Sequence, residues 1–277
     1  MRASHQSLAT SLFALLAVAC GSNNPSSSKP PAPNSAGQDV VQNAELVSDA
    51  QASSNDGVSD TYQTSMGPLL VTPIWHGTVA FSIGNTTIVV DPWSKAPEGR
   101  LPKADLILLT DIHPDHLDTK AIDLVRKANT IIIGPAAVAA AVPETSVINN
   151  GQERVESGIG IRAIPMYNEK RGPEAGKLFH DKGRGNGYVL SFGDTNVYVS
   201  GDTECTAEMR ALESIDLALV CMNLPYTMPP EEAAECIKAF KPKVITPFHY
   251  RGSDLSVLEK SLEGTGIELR LRDYYAP

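Results

Sequence analysis

A single short segment of the chain contains two histidines and three aspartates within eight residues. It belongs to the stretch LILLTDIHPDHLDTK, residues 106–120, in which an apolar run ends directly before the polar side chains. A solvated surface loop would also be rich in aspartate, but it would have no reason to add His113 and His116 at this spacing. Imidazole and carboxylate groups that converge at the end of a strand are typical ligands of divalent cations. The segment therefore predicts metal chemistry.

The bend that Pro114 introduces predicts two metal positions rather than one. Asp111 and His113 can share one side of the segment, whereas Asp115 and His116 lie past the bend and can reach a second position. A divalent cation needs several nitrogen or oxygen ligands at about 2.0–2.2 Å, so these side chains must converge to bind one.

Short apolar runs of strand type must position these groups. From residue 66 onward the chain alternates such runs with turns, and later with stretches of helical type, which predicts sheets covered by helices. In PPEEAAECIKAF, an early proline precedes acidic residues and the apolar residues recur on one face, as in a helix. Several runs stop at a polar residue, which places the chemistry at strand ends: Asp91, Thr110, Asp202, Asn223 and His249.

The beginning of the chain has a different character. Residues 1–20 combine a basic start with an apolar stretch too short to span a bilayer comfortably, which predicts a cleaved signal. Their end, LLAVAC, resembles a bacterial lipobox with Ala17 in place of the usual leucine, and this implies a lipid on Cys20; plain secretion is the alternative. Residues 21–65, rich in serine and proline, predict a disordered tether. Residues 66–277 would then form the folded domain of an exported, membrane-anchored lipoprotein, facing the periplasm or cell envelope.

Charge and cysteine content restrict the partners. The formal net charge is −9 at pH 7 and no block of lysine or arginine occurs, which argues against nucleic acid and leaves a small-molecule or lipid-like substrate. Apart from Cys20, three cysteines remain, Cys205, Cys221 and Cys236, so they cannot all pair within the chain. No CxxC occurs, which excludes a zinc finger, and Cys221 is interpreted as a small buried apolar residue. Oligomeric state is not indicated.

Five motifs, in order along the chain, resemble those of the metallo-β-lactamase superfamily. TDIHPDHLD is similar to its T-H-x-H-x-D-H signature, with Asp111 at the first histidine. GTVAFSIGNTTIVVDPW resembles the opening hairpin, KLFHDKGRGNGYVL the histidine before a glycine-aromatic strand, VYVSGDT the strand that ends in a bridging aspartate, and VITPFHY the last histidine. The resemblance covers residues 69–252, is greatest to the lactonase-like branch, and extends to phospholipases D that act on N-acyl phosphatidylethanolamine. It implies an α/β fold, a four-layer αβ/βα sandwich.

Carried over position by position, the resemblance implies seven ligands for two divalent cations. Zinc is the first expectation, and manganese or iron are alternatives. Four of the six histidines of the chain belong to this set. The ligands are Asp111, His113 and His180 for the first cation, Asp115, His116 and His249 for the second, and Asp202 as the bridge between them.

Asp111 departs from the family pattern. A carboxylate is an ordinary oxygen ligand, but it is shorter than imidazole and carries a negative charge. A cation bound there would be a poorer Lewis acid, and harder metals would become suitable. Two alternatives stay open: the first position is weak and one cation does the work, or the protein no longer catalyses.

The resemblance also implies supporting roles. Asp91 in the DPW motif would brace the metal-binding segment from behind the ligands. His76 lies in no ligand motif and is interpreted either as a substrate contact or as a packing residue. The residues expected to shape the substrate pocket are His76, Tyr167, Asn168, Phe179, Tyr226, Thr227 and Met228.

The expected function is metal-dependent hydrolysis of an ester, lactone or phosphodiester bond. A water bridging the cations would attack a carbonyl carbon or phosphorus, with Asp115 and Asp202 as the catalytic residues that orient it. The alternative is a non-catalytic, metal- or ligand-binding lipoprotein that keeps the fold. Fold resemblance alone does not identify the substrate.

Overall fold

The structure, a computed structural model, describes residues 59–276. The predicted signal segment with Cys20, and most of the predicted tether, lie outside the described residues. Among those that are described, no helix is both long and apolar enough to cross a membrane.

Strand β1, Asp60–Thr64, lies inside the segment that composition predicted to be a tether. It pairs with the next strand in antiparallel register. Tyr62 is buried, and the Asp60 carboxylate accepts a hydrogen bond from Arg272. The folded domain therefore begins before the predicted boundary at residue 66. Pairing with the next strand, the buried Tyr62 ring and the ion pairs of Asp60 with two arginines hold this strand.

Two seven-stranded sheets form the framework. In each sheet the first four strands in sequence pair antiparallel and the remaining pairs are parallel. Sheet A contains, in spatial order, β1, β2 (Gly67–Trp75), β3 (Thr78–Ile83), β4 (Thr86–Val90), β5 (Ala104–Leu108), β6 (Arg126–Gly134) and β7 (Ser146–Val147). Sheet B contains β8 (Glu153–Glu156), β9 (Ile159–Met166), β10 (Gly185–Phe192), β11 (Thr195–Val199), β12 (Leu217–Cys221), β13 (Val244–Phe248) and β14 (Glu268–Leu269).

Five helices accompany these sheets in the described part of the chain. Their starts follow from local chemistry: the Asp118 side chain caps the first helix at Ala121 N, and Pro230 occupies the first turn of the fourth, before two glutamates. The helices are α1 (Thr119–Val125), α2 (Ala136–Ala139), α3 (Ala207–Arg210), α4 (Pro230–Phe240) and α5 (Leu255–Leu262).

Alternation along the strands determines the layers. Ile88 and Val90 of β4 belong to the core between the sheets, whereas Val89 belongs to a separate cluster with α1 and α2. Across the two sheets, the Phe81 and Phe192 rings lie 6.1 Å apart between centroids. On the outer face of sheet B, Tyr198 packs edge-on against a phenylalanine of α4. Helices therefore cover the outer faces, and the predicted four-layer αβ/βα sandwich is confirmed.

One pair of cysteines is joined in a disulfide. Cys205 follows β11 and Cys236 lies in α4, so the bridge ties the loop after β11 to the helix layer. Cys221 is free and buried, as predicted, and burial raises the pKa of its thiol to about 12. Because three cysteines remained apart from Cys20, the sequence did not indicate which two would pair.

Candidate metal centre

The two sheets bring the predicted ligands together at the carboxyl ends of their parallel strands. Asp111 follows β5, Asp202 follows β11 and His249 follows β13. This is the edge at which α/β sheets commonly bind ligands, because loops from neighbouring strands meet there. His180 comes from the loop before β10 and reaches the same place.

Asp111, His113 and His180, here called the first triad, form a group of ligand size. His113 Nδ1 is 3.0 Å from Asp111 Oδ2 and 3.1 Å from His180 Nε2. The third side of the triangle, from Asp111 Oδ2 to His180 Nε2, measures 3.9 Å. Asp202 Oδ2 completes the group at 3.5 Å from His180 Nε2.

Asp115, His116 and His249, here called the second triad, lie on the other side of Asp202. His249 Nε2 is 3.2 Å from Asp115 Oδ2 and 3.5 Å from Asp202 Oδ1. His116 Nε2 is 3.4 Å from Asp202 Oδ2 and 3.8 Å from Asp115 Oδ2. Asp202 therefore contacts both triads, and the structure brings all seven predicted ligands together.

Two buried atoms in this cluster support a cation. His116 Nε2 and Asp202 Oδ1 are inaccessible to solvent and have no hydrogen-bond partner among the described residues. Buried polar atoms are nearly always paired, so an imidazole nitrogen and a carboxylate oxygen that both lack a partner in one cluster call for a missing group. Each triad also consists only of the nitrogen and oxygen donors that zinc, manganese and iron accept. The residues present therefore fit divalent cations.

Hydrogen bonds on the far side of the rings orient the imidazoles. His116 Nδ1 is 2.7 Å from Asp91 Oδ2, and Asp91 in turn accepts from the backbone N–H and the hydroxyl of Thr110. His180 Nδ1 is 2.6 Å from Asn168 Oδ1. In both rings Nδ1 is engaged, so Nε2 is directed into the centre.

The electrostatics favour ionised carboxylates. Burial opposes the ionisation of Asp111, but hydrogen bonds from His113 and Arg184 outweigh it and hold its pKa below the ordinary value. The pKa values of Asp115 and Asp202 are likewise lowered, because neighbouring histidines outweigh burial. Three anionic side chains are therefore directed at one small volume, as a cation site requires.

The histidines divide into two kinds. Burial lowers the pKa of His180 to about 4, so its ring is neutral at pH 7 and able to bind metal. For His116, burial acts in the same direction, but the carboxylates of Asp202 and Asp91 outweigh it and raise the pKa. In the absence of metal, His116 therefore carries a proton, which a cation at Nε2 would have to displace.

Arg184 was not singled out from the sequence, yet it contacts the first triad directly. Its Nε donates to Asp111 Oδ1 at 2.9 Å and its Nη2 to Asp111 Oδ2 at 2.8 Å. Nη2 also donates to the Phe179 carbonyl and lies 3.4 Å from His113 Nε2. Its signal in the sequence was weak, because a lone arginine in the loop GRG has no distinguishing pattern.

Glu204 is a second residue that sequence reasoning missed. Its carboxylate is buried and accepts hydrogen bonds from the backbone N–H groups of residues 169–171, at 2.9–3.1 Å, and from Asn168 Nδ2 at 3.3 Å. Because Asn168 holds the His180 ring, Glu204 anchors the loop on which a ligand of the first triad depends. Its position two residues after Asp202 is the only hint that the sequence contained.

His76 lies beside the second triad. Its Nε2 is 3.4 Å from Asp115 Oδ2, and its ring packs against that of His249 at a tilt of 35°, with 3.7 Å between centroids. His76, Asp115 and His249 themselves have ligand atoms within 4.8 Å of one another. On the other side of the ring, Nδ1 is 2.8 Å from the hydroxyl of Tyr275, a residue that the sequence did not indicate.

The backbone around this ring is tightly constrained. His76, Asp91 and His249 all have positive φ, at 54°, 45° and 48°, a conformation that non-glycine residues rarely adopt. At Gly77, an added Cβ would lie 2.9 Å from the His249 ring. Backbone outliers of this kind cluster at functional sites, where the surrounding structure holds them.

The remaining predicted pocket residues occupy different environments. Phe179 and Tyr226 pack edge to face, 5.1 Å apart, and Tyr226 is exposed, so this pair forms a rim beside the first triad. The Tyr167 hydroxyl donates to Glu208, away from the ligands. Thr227 and Met228 are fully buried below the rim. Substrate contact by these residues stays a prediction.

Known proteins share this sequence pattern. Over residues 71–249 the chain matches the family described as Beta-lactamase superfamily domain. A UPF0173 metal-dependent hydrolase from Thermococcus onnurineus is 30% identical over 190 residues, which cover 63% of this chain and 82% of the relative.

Solved structures share the fold. A protein from Parabacteroides distasonis, described as a metal-dependent hydrolase, superposes with a TM-score of 0.73 at 38% identity and covers 78% of this chain and 98% of its own. Igni18, a metallo hydrolase from Ignicoccus hospitalis, gives a TM-score of 0.62 at 22% identity over 74% of this chain and 95% of its own. At that identity Igni18 supports the fold alone.

Proposed function

Because the chain belongs to the metallo-β-lactamase superfamily and is a metal-dependent hydrolase, we propose that it cleaves an ester, lactone or phosphodiester bond with two divalent cations. The observation that carries the proposal is the placement of Asp202 between two triads, with buried and unpaired atoms on Asp202 and His116. Bound cations would polarise a substrate oxygen and lower the pKa of a coordinated water. Zinc is the first choice of metal, with manganese and iron as alternatives.

Asp115 is placed to act on the attacking water. Its side chain is 27% exposed, more than that of Asp111 or Asp202, and therefore reaches the open side of the centre. The neighbouring His249 and His76 keep its pKa below the ordinary value, so it is an anion at neutral pH. An anionic carboxylate on the open side of the centre can accept a hydrogen bond from water and orient its lone pair toward the scissile bond.

His76 is placed to serve the leaving group. When the Tyr275 hydroxyl donates to Nδ1, the ring carries its proton on Nε2, the nitrogen that faces Asp115. Burial lowers the pKa of His76, so the ring is neutral and its Nε2–H can donate a hydrogen bond that stabilises a leaving oxygen. Asp202, deeper in the centre, has the different task of holding both triads in one arrangement.

The rim favours a substrate with an apolar portion next to its polar bond. The His113 side chain is 37% exposed and marks the accessible side of the first triad. Its neighbour in sequence, Ile112, is exposed, and so is Tyr226, which packs against Phe179, the residue whose carbonyl accepts from Arg184. Apolar and aromatic groups around a few polar ones are typical of small-molecule sites. A small-molecule or lipid-like substrate therefore suits this rim.

Metal analysis combined with substrate panels tests this function. The protein, purified without chelator, is expected to contain about two equivalents of zinc, manganese or iron and to turn over compounds from a lactone, ester or phosphodiester panel. Removing the metal should abolish turnover, and adding it back should restore the rate. A protein that takes up no divalent cation, or that hydrolyses none of these classes when fully loaded, would contradict the proposal.

We also propose that the protein is exported and anchored to a membrane through a lipid on Cys20. Support comes from the basic and apolar start of the sequence and from the Cys205–Cys236 disulfide, since such bonds persist mainly in oxidising compartments. A lipid-like substrate would then be reached at the membrane surface.

The variant Cys20→Ser tests the anchor. Fatty-acid labelling of the full chain should disappear and the protein should move from the membrane to the soluble fraction, because serine offers no thiol for the lipid. Cys221→Ser, which alters a free and buried cysteine, serves as the control and should fractionate like the parent. Equal membrane association of the Cys20→Ser variant and the parent would exclude the lipid anchor.

A further inference from the structure

An arginine side chain binds the carboxylate of Asp111 in the first triad. Arg184 meets Asp111 through two parallel hydrogen bonds, one to each carboxylate oxygen, in the bidentate geometry that is strongest for this pair. Asp111 is fully buried and the Arg184 side chain is only 18% exposed. Each carboxylate oxygen has two acceptor directions, so Asp111 Oδ2 can accept from Nη2 and still face His113 and His180.

Charge explains why the two residues occur together. Replacing a neutral histidine ligand by aspartate adds one negative charge to the centre, and a guanidinium, which is always protonated, adds one positive charge. The pair is therefore neutral, like the imidazole for which it substitutes. Side-chain geometry also explains the pair. The carboxylate is shorter than imidazole and needs another group to fix its rotation. Arg184, which donates to the Phe179 carbonyl, provides that group.

We infer that Asp111 and Arg184 act as one unit that takes the place of the histidine ligand found in the family signature. Asp111 supplies the ligand oxygen, while Arg184 is a positioning residue that orients the carboxylate and cancels its charge. The inference rests on the proposed function only in requiring that the centre binds cations.

The unit has a consequence for substitutions at either position. Arg184→Gln leaves an uncompensated carboxylate that is free to rotate, so the metal affinity of the first triad should fall. Asp111→His alone should also lower it, although it restores the family signature, because the guanidinium then lies unpaired beside the cations. In the Asp111→His background, Arg184→Gln should raise metal affinity, because it removes that positive charge.

A double-mutant cycle on the full chain tests this reversal of sign. The parent, Asp111→His, Arg184→Gln and the double variant are stripped of metal and titrated with zinc and with manganese against a chromophoric chelator, which resolves the affinities of the two triads. We expect each single variant to lose at least tenfold in first-triad affinity for zinc and the double variant to return to within about threefold of the parent. Arg162→Gln, at a half-exposed arginine on β9, is the matched control and should change neither affinity.

The outcomes separate the inference from the proposed function. If the parent binds no metal, both fall. If the parent binds two cations but the single effects simply multiply in the double variant, or Asp111→His binds as tightly as the parent, only the paired unit is wrong. Thermal unfolding of the metal-free proteins checks that each variant folds. If Asp111→His does not fold, the same cycle is run with Asp111→Asn. In that background too, Arg184→Gln must raise the metal affinity of the first triad instead of lowering it.

Discussion

Asp202 is the single residue on which both halves of the centre depend. Its two oxygens face His180 and His116 on one side and His249 on the other, at 3.4–3.5 Å. Asp202→Asn keeps the size of the side chain but removes the shared charge, so we expect both cations to weaken together, each by about tenfold or more. Metal content after dialysis, measured for both positions, checks this. Asp105→Asn, at a partly exposed aspartate paired with Lys127, is the control.

Loss of metal from only one triad in the Asp202→Asn variant would show that the aspartate serves one cation and is not shared. Unchanged metal content would remove it from the centre altogether.

The metal-free protein should show two histidines with opposite titration behaviour. The pKa of His180 in the folded state, about 4, lies below its ordinary value of 6.5. Its contribution to stability is therefore complete above pH 6.5 and is lost as the pH falls to 4, by on the order of 3 kcal/mol. His116, with a raised pKa, stabilises the fold below pH 6.5 and loses that contribution as the pH rises through its folded value.

Imidazole NMR of chelator-treated protein measures these two titrations directly, and denaturant unfolding at several pH values measures their sum. His180→Gln identifies the resonance and should remove the stability change between pH 6.5 and 4 that belongs to this ring. An imidazole of His180 that titrates near 6.5 would contradict the burial argument.

The candidate ligands could be predicted from the sequence, four of them from their spacing in one segment and three from the family resemblance, whereas their supports could not. His113 and His116 lie in one turn of chain, and His249 ends an apolar run. Arg184 and Glu204, in contrast, act through partners 73 and about 35 residues away, and no local pattern distinguishes them from surface charges. A buried carboxylate that accepts three backbone N–H groups becomes visible only when the loop it holds is in place.

At the level of elements, the strands were easier to predict than the lengths of the helices. The segment LDTKAIDLVRKA has helical spacing, yet α1 ends at Val125, because Arg126 already belongs to β6 and the chain must enter the sheet. Tertiary pairing overrides propensity here. Most strand-like apolar runs, by contrast, are strands, since buried parallel strands are continuous apolar segments.

The loop formed by residues 168–171 positions His180 of the first triad through Asn168, and Glu204 holds this loop. Glu204→Gln would replace an acceptor oxygen by an NH₂ group facing backbone donors, so the loop should loosen and Asn168 should lose its fixed position. We expect the metal affinity of the first triad to fall about tenfold while that of the second triad stays within twofold. Metal titration that resolves the two affinities measures the difference.

The matched control for this loop is Glu208→Gln, a half-exposed carboxylate four residues later that pairs with Lys182 at the surface. It should leave both affinities unchanged. Equal losses in both triads after Glu204→Gln would point to general destabilisation rather than to positioning of His180.

For the whole molecule, one core lies between the two sheets, and one covalent bond, within the half built on sheet B, restrains a loop of the centre. The loop after β11 contains Asp202, Glu204 and Cys205 within four residues, and the disulfide to Cys236 ties it to α4. The same loop therefore supplies the shared ligand, anchors the loop of His180 and is cross-linked to the helix layer. Such multiple restraint keeps ligand geometry fixed when no cation is present.

Removing this bond should lower global stability. The cysteines are 31 residues apart, so the chain-entropy argument gives a loss of about 3–4 kcal/mol in the free energy of unfolding for Cys205→Ala/Cys236→Ala. Denaturant unfolding of the metal-free protein measures this loss. The parent with its disulfide reduced should have the same free energy of unfolding as the variant. Cys221→Ala, which removes a free buried thiol and its two hydrogen bonds to the Thr203 backbone, is the control and should cost about 1–2 kcal/mol. Metal affinity should fall at both triads, because Asp202 serves both. A double variant as stable as the parent would contradict the chain-entropy argument, and unchanged metal affinity would show that β11 holds Asp202 in place without the bridge.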